Sequence, residues 1–365
     1  MKNSILLLFL SALFIISCSS SDNSINSLPD DGSSGQGDPD TQGGTTNEWL
    51  IPLSAVRDGG PGRDGIPSID NPKFLSVNET PGLLAEEVRV VGIKIGNEVR
   101  AYPHYILDWH EIVNDDLGSS SVAITYCPLT GTAIGWDRVV GGNKTSFGVS
   151  GLLYNNNVIP FDRSTNSNWS QVRLECVNGS LIGEKPEVIK VVETNWFIWK
   201  SMYPNTKVLS TDTGFSRSYG VYPYGDYRTN NAYLIFPLTR DDGRLPRKER
   251  VHAIVDEGNS RVYRFNSLSG GKAIKDVFNR KELLIVGGNE TIVSFELDSE
   301  TSLLEFEYIF NGSEAYFKDN EGTEWNVFGE GISGRGNGKK LKPSKSFIAY
   351  WFSIGAFYPN AEIFE

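Results

Sequence analysis

The chain has 365 residues, of which 34 are Lys or Arg and 45 are Asp or Glu, so its formal net charge is −11. Hydrophobic residues make up 39% of the chain, which excludes a disordered or collagen-like protein because there is enough apolar surface for a core. The acidic balance argues against a nucleic-acid partner, since phosphate binding needs clustered Lys and Arg, and three cysteines exclude a disulfide-built scaffold.

Residues 1–17 have the pattern of a bacterial secretory signal. Lys2 precedes an apolar run over residues 5–16, which is too short to span a bilayer. The run ends in Ile16, Ser17 and Cys18, which resembles a lipobox in which Cys18 is lipidated and becomes the first mature residue. The alternative is an ordinary signal peptide that happens to contain a cysteine. We therefore expect a lipid-anchored protein of the cell envelope, with the membrane as its partner through Cys18.

Residues 18–47 are rich in Ser, Asp, Gly, Asn and Thr and contain no Lys or Arg. Such a segment cannot bury enough apolar surface to form a core. We expect it to be a disordered tether between the lipid and a folded body that begins near Trp49.

The folded body is predicted to be mostly β with a few short helices. Short apolar or alternating runs, broken by Gly, Asn, Asp and Pro, are typical of strands. They occupy residues 88–95, 122–126, 133–136, 158–161, 232–236, 251–255, 283–286, 291–297 and 303–309. The best helical windows are residues 105–113, 195–203 and 346–358.

Self-comparison predicts an internal duplication of a β-rich unit of roughly 120 residues. Three segments recur in the same order at separations of about 155 to 162 residues: 87–102 with 249–263, 161–171 with 317–327, and 199–205 with 354–360. The predicted repeats lie within residues 48–245 and 246–365. A hydrophobic interface between them is expected, because each unit leaves a face to bury.

Four longer motifs point to a family. They occupy residues 59–74, 109–115, 127–133 and 150–155. Together they resemble the bacterial and archaeal domain-of-unknown-function family numbered 3179, over about residues 50–255 and weakly over the remainder. The motifs are specific for the family and not for an activity, so the resemblance implies no particular reaction.

The cysteine motif of that family usually reads Cys-Pro-Leu-Cys-Gly-Thr. Here the first cysteine is Cys127, and Thr130 stands in the place of the second. This departure argues against a two-cysteine exchange or a two-thiolate metal site. The predicted second repeat has no cysteine in the corresponding region, residues 286–291, so any active centre is expected in the first repeat.

Cys127 follows an apolar run and is expected at a strand end, before a turn. Thr130 can donate its hydroxyl to the sulfur, which predicts a thiolate that oxidises no further than sulfenic acid until an outside thiol intervenes. The alternative is a buried, inert cysteine packed as a small apolar residue. Cys176 is interpreted mainly as a core residue, although a disulfide with Cys127 stays open.

His110 and Glu111 are the candidate acid/base partners of Cys127. His110 can act as the proton acceptor that lowers the pKa of the thiol, oriented by Glu111. The alternative is a histidine held by a local carboxylate for structural reasons. His104 and His252 are interpreted as incidental.

No cofactor or metal is predicted. A metal held by Cys127 and His110 together with Glu111 or Asp108 is conceivable, but no His-x-x-x-His or Cys-x-x-Cys spacing supports it.

The tyrosine-rich loop of residues 219–227 suggests a second kind of function. Tyr222, Tyr224 and Tyr227 can form a surface that stacks on sugar rings or contacts a protein; alternatively, the rings cover the seam between the repeats. The leading hypothesis is thus a thiol-based redox or ligand centre at Cys127, Thr130, His110 and Glu111. The alternative is a non-catalytic envelope binding or scaffold module that uses this loop. Whether the protein is an enzyme, and which small-molecule, thiol or envelope partner it meets, stays open.

Overall fold

Apolar runs separated by Gly and Asn turns form short strands over residues 56–209 and 250–363. This computed structural model describes residues 48–365. The predicted mostly-β class is confirmed. The signal segment, Cys18 and the tether lie outside the described residues.

The strands between residues 56 and 209 are β1 (Val56–Asp58), β2 (Phe74–Ser76), β3 (Arg89–Ile95), β4 (Glu98–Pro103), β5 (Ile112–Leu117), β6 (Ser120–Cys127), β7 (Thr132–Asp137), β8 (Val139–Val140), β9 (Asn143–Lys144), β10 (Phe147–Tyr154), β11 (Asn157–Asp162), β12 (Asn168–Ser170), β13 (Glu175–Asn178), β14 (Val188–Ile189), β15 (Val192–Asn195) and β16 (Lys207–Leu209). Those between residues 250 and 363 are β17 (Arg250–Asp256), β18 (Asn259–Arg264), β19 (Lys272–Phe278), β20 (Lys281–Gly287), β21 (Ile292–Glu296), β22 (Phe306–Tyr308), β23 (Phe317–Asp319), β24 (Glu324–Trp325), β25 (Gly331–Ser333), β26 (Lys342–Pro343), β27 (Ser346–Tyr350) and β28 (Glu362–Ile363).

The α-helices of the described region are α1 (His104–His110), α2 (Trp196–Met202) and α3 (Trp351–Phe357). Each overlaps a predicted helical window and is shorter than it: α2 and α3 lie inside their windows, and α1 begins one residue before its own. The first window ends early because Glu111 has a φ of +57°, and the β-branched residues after it continue as β5. The third window begins with the strand β27. None of the described helices is long and apolar enough to cross a membrane.

The predicted strand over residues 232–236 is wrong, since these residues form turns and bends. The backbone N–H of Phe236 donates to Asn156 Oδ1 at 2.9 Å, and its carbonyl accepts from Asn156 Nδ2 at 2.8 Å. A side-chain amide therefore occupies the backbone groups that a sheet ladder would otherwise use. The strand predicted over residues 303–309 is shorter in the structure, where it is β22, and a 3₁₀ turn precedes it.

Within the described residues, the strands form one set of three larger sheets from residues 56–209 and another from residues 250–363. The first set has the orders β1-β10-β11-β12-β13, β14-β7-β6-β5 and β15-β3-β4-β16-β2. The second set has the orders β22-β23-β24-β25, β26-β21-β20-β19 and β27-β17-β18-β28. Each sheet of the first set corresponds to one sheet of the second set, and four strands follow one another in the same way in both. The pairing of β16 with β4 is parallel, and so is the corresponding pairing of β28 with β18.

Side chains recur as well. The indole of Trp169 donates to Asp162 at 3.0 Å, and the indole of Trp325 donates to Asp319 at 3.0 Å. Both tryptophans are buried, in segments that the sequence comparison pairs. These correspondences support the duplication hypothesis, which itself stays a prediction.

The main hydrophobic clusters cross between the two sets of sheets. One cluster joins Trp199 and its neighbours to Phe295 and Trp325, and another joins Cys127 and Trp169 to residues around Trp351. The described residues are therefore packed as one unit. A shared core of this kind fixes the position of the turn after β6 against the second set of sheets.

Candidate functional site

The turn between β6 and β7 carries the cysteine motif. Cys127 pairs with Thr132 across the hairpin, and Gly131 between them has a φ of +59°. A Cβ at Gly131 would lie 3.0 Å from the ring of Tyr350, which belongs to β27. Glycine is therefore required both by the backbone conformation and by the close approach of the second set of sheets.

Cys127 is a buried thiol. Its side chain is 1% exposed, and Sγ donates to the carbonyl of Asn156 at 3.4 Å. Burial, with a smaller contribution from nearby Glu111, raises the pKa of the Cys127 thiol to about 11, although hydrogen bonds from Thr130 and from the Val158 N–H oppose this. The group is thus protonated at neutral pH, whereas a nucleophilic cysteine needs a lowered pKa and access.

Thr130 belongs to a buried polar network. Its Oγ1 accepts from Asn157 Nδ2 at 2.9 Å, and the same amide donates to Gln171 Oε1 at 2.8 Å. Gln171 in turn donates to Thr125 Oγ1 at 2.9 Å. These contacts lock the Thr130 rotamer, so the hydroxyl has a fixed position beside the Cys127 sulfur.

Glu111 lies at the end of α1 with an almost fully buried carboxyl. Burial raises the pKa of Glu111 to about 8, and a hydrogen bond from the Tyr224 hydroxyl partly opposes the shift. Its backbone carbonyl accepts from the Tyr126 N–H at 2.6 Å, which holds the residue next to the strand that ends at Cys127. At neutral pH the carboxyl is mostly protonated and can donate a hydrogen bond.

His110 does not partner Cys127 in this structure. Its Nδ1–H donates to the carbonyl of Pro67 at 2.7 Å, and its Nε2 accepts from the Tyr219 hydroxyl at 2.6 Å. Because a carbonyl only accepts, the Pro67 contact fixes the tautomer of the neutral ring. Burial lowers the pKa of His110. Both nitrogens are engaged elsewhere, so the ring has no free atom to take a proton from a thiol.

The pocket beside this turn has a volume of about 90 Å³. Its walls are mostly apolar and include Leu129, Val149, Leu153 and Val158. The ionisable residues of the lining are Glu111 and Tyr224, whose side chains are hydrogen-bonded to each other. That combination is typical of a small-molecule site.

Tyr222, Tyr224 and Tyr227 of the tyrosine-rich loop do not form an exposed groove. Tyr227 is fully buried and has the Nζ of Lys248 at 2.9 Å from its ring centroid. The Tyr222 hydroxyl donates to the carbonyl of Pro128 at 3.1 Å. Only Tyr224 reaches the pocket. This geometry matches the alternative in which the rings cover the seam between the two sets of sheets.

One family model matches the chain: its description is protein of unknown function (DUF3179), and it matches residues 63–361. The chain belongs to this family. The match continues through the second set of sheets, so the resemblance is not confined to the residues before 255. Neither a curated protein nor a solved structure matches the chain.

In this DUF3179 chain, sequence reasoning missed the role of the hairpin between β10 and β11. Asn155 and Asn156 have φ values of +50° and +61°, as a two-residue primed turn requires. Asn155 Oδ1 accepts from the Thr239 N–H at 2.8 Å, and Asn156 holds Phe236. Two consecutive asparagines between apolar runs signal the turn, but their hold on residues 236–239 depends on tertiary structure.

Cys127 and Cys176 are both free and buried. Burial raises the pKa of Cys176 to about 12. Within residues 48–365 of this DUF3179 protein, no group of three or more His, Cys, Asp or Glu side chains is arranged to hold a metal ion.

Proposed function

We propose that the protein binds a small, neutral, mostly apolar molecule in the pocket beside Glu111. The observation that carries the proposal is the buried Glu111 side chain, hydrogen-bonded to Tyr224 in an otherwise apolar pocket. Burial raises the pKa of Glu111 to about 8, which keeps it mostly protonated at neutral pH. Of the two forms of the leading hypothesis, a ligand centre is therefore better supported than a redox centre.

The chemistry of the lining defines the ligand class. No Lys, Arg or His lines the pocket, so a ligand with a negative charge would lack a partner. A protonated carboxyl donates to a carbonyl or ether oxygen, which favours a ligand with one hydrogen-bond acceptor. Leu153, Val158 and Ile235 would contact its apolar part.

Cys127 and Thr130 support this site without reacting. The thiol lies between Glu111 and the carbonyl of Asn156, and its raised pKa keeps it neutral. A neutral sulfur preserves the low polarity that holds the Glu111 carboxyl in its protonated form. Oxidation to sulfenic acid would place a polar oxygen in this buried space.

We further propose that this binding body is lipid-anchored in the cell envelope. The support is the short apolar run before Cys18 and the charge-poor segment that follows it.

A pH-dependent titration tests the ligand proposal. Cyclopentanone serves as the probe, and methylcyclopentane, which has no acceptor, is its control. NMR chemical shifts should report saturable binding of the ketone that weakens as the pH rises past about 8, because ionised Glu111 no longer donates. The Glu111→Gln variant keeps an N–H donor and should bind at all these pH values. Absence of ketone binding, or the same pH profile in both proteins, would overturn the proposal.

A further inference from the structure

A second group of buried polar side chains lies where the two sets of sheets meet. Arg89 begins β3 and Arg250 begins β17, at corresponding positions of the two sheets. A cleft of about 280 Å³ lies on the side of this group that belongs to residues 83–228, and its polar lining includes Glu87, Arg89, His104, Asp108 and Arg228. It shares no lining residue with the pocket beside Glu111.

Several polar atoms at this cleft have no hydrogen-bond partner within the described residues. They are His104 Nε2, Asp108 Oδ1 and Arg89 Nε. His104 is 7% exposed and Asp108 is 5% exposed. Because each unsatisfied buried polar atom costs about 1 to 3 kcal/mol, their concentration at one cleft indicates partners supplied from outside the chain.

One guanidinium group at the cleft has no carboxylate partner within the described part of the chain. Arg228 pairs with Asp108 at 2.8 Å, and Arg250 pairs with Glu193. Arg89 forms no ion pair among residues 48–365, and the positive charge of Arg250 is one cause, after burial, that lowers the pKa of Arg89. Arg89 is thus the guanidinium group of the cleft lining that has no ion pair among the described residues, and a carboxylate ligand would supply one; the exposed Glu87 also lines the cleft.

The charged residues that act on His104 are also arginines. Burial, followed by the charges of Arg89, Arg250 and Arg228, holds the pKa of His104 well below its usual range. The ring is therefore neutral, so Arg89 and Arg228 are the cations of the cleft lining. Its nearest carboxylate oxygen, Glu193 Oε2, lies 3.7 Å from Nε2, beyond a hydrogen bond.

We propose that this cleft binds a small hydroxycarboxylate, whose carboxylate pairs with Arg89 and whose hydroxyl donates to Asp108. The planar guanidinium fork of Arg89 matches a carboxylate in two parallel hydrogen bonds. The free oxygen of Asp108 accepts, so it selects a ligand that carries a donor near its charge. A single negative charge would pair with Arg89, whereas the second charge of a phosphate dianion would have no free partner in a lining that also holds Glu87.

Calorimetric titration of the full chain with lactate tests the proposal, with propionate as the ligand that lacks the hydroxyl. Lactate should bind saturably, and propionate should bind at least about tenfold more weakly, because a hydrogen bond to a charged group is lost. Arg89→Gln should weaken lactate binding by about tenfold or more. Arg335→Gln, which removes an equal charge from an exposed side chain, should leave it unchanged.

Three outcomes would overturn the proposal: no saturable lactate binding to the folded wild-type protein, unchanged lactate affinity in folded Arg89→Gln, or tighter binding of inorganic phosphate than of lactate. If circular dichroism shows that Arg89→Gln is unfolded, Arg89→Lys replaces it. That variant keeps the charge but loses the fork, so lactate affinity should still fall several-fold. Wild-type affinity in Arg89→Lys would also contradict the assignment.

Discussion

Replacing Glu111 with glutamine should make the protein more resistant to alkaline pH. The folded state holds the Glu111 proton with a pKa of about 8, against an ordinary value of 4.5. An acid whose pKa is raised on folding contributes stability that is complete below the unfolded pKa. This stability is lost as the pH rises through the folded pKa. Glutamine keeps the shape and cannot ionise, so it removes this loss.

The size of the effect follows from the two pKa values. Their difference corresponds to about 5 kcal/mol across the whole window from pH 4.5 to 8, since each pKa unit is worth about 1.4 kcal/mol. Relative to wild type, Glu111→Gln should therefore gain several kcal/mol of unfolding free energy between about pH 5 and about pH 9. Other titrating groups affect both proteins equally and cancel in the comparison.

Urea denaturation at a series of pH values measures this difference. Glu184→Gln, a change at an exposed carboxyl, is the matched control and should follow the wild-type profile. Parallel pH profiles for wild type and Glu111→Gln would show that the carboxyl is not held protonated. The pocket would then lack the donor on which the proposed function rests.

Three further predictions concern the cysteine turn. Cys127 should resist iodoacetamide in the native protein and react after unfolding, as peptide mapping would show; fast native alkylation at neutral pH would restore the redox hypothesis. Thr130→Val should lower the unfolding free energy by about 1 to 3 kcal/mol because a buried amide loses its acceptor. Thr130→Ser should retain most of the stability. Gly131→Ala should destabilise the protein more than Gly118→Ala, since both glycines have a φ of +59° but only Gly131 meets the Tyr350 ring; equal denaturation midpoints would contradict that packing argument.

Features that depend on neighbouring residues were predictable from the sequence. Eight of the nine predicted strand windows overlap a strand, and the starts of α1 and α2 lie within a residue of their predicted positions. The motifs also indicated the family over its first part. Local periodicity and turn chemistry act over a few residues, so they can be read without knowing the fold.

The candidate site was only partly predictable, because its contacts join residues that are distant in the sequence. Sequence reasoning selected Cys127, Thr130 and His110, and it included Glu111 as the residue that orients His110. The structure instead brings Glu111 and Thr130 next to Cys127. Adjacent residues at the end of a helix point in different directions, and only the packing shows that His110 faces Tyr219.

The sequence by itself determined the β-rich class, the family and the position of the cysteine turn, because each depends on local pattern. Tertiary structure decided the chemical state of the side chains. Burial makes Cys127 a thiol and Glu111 an acid, and the meeting of two sets of sheets brings Arg89 and Arg250 together from positions far apart in the chain. A pKa depends on solvation and on charges brought near by folding, which no local pattern records.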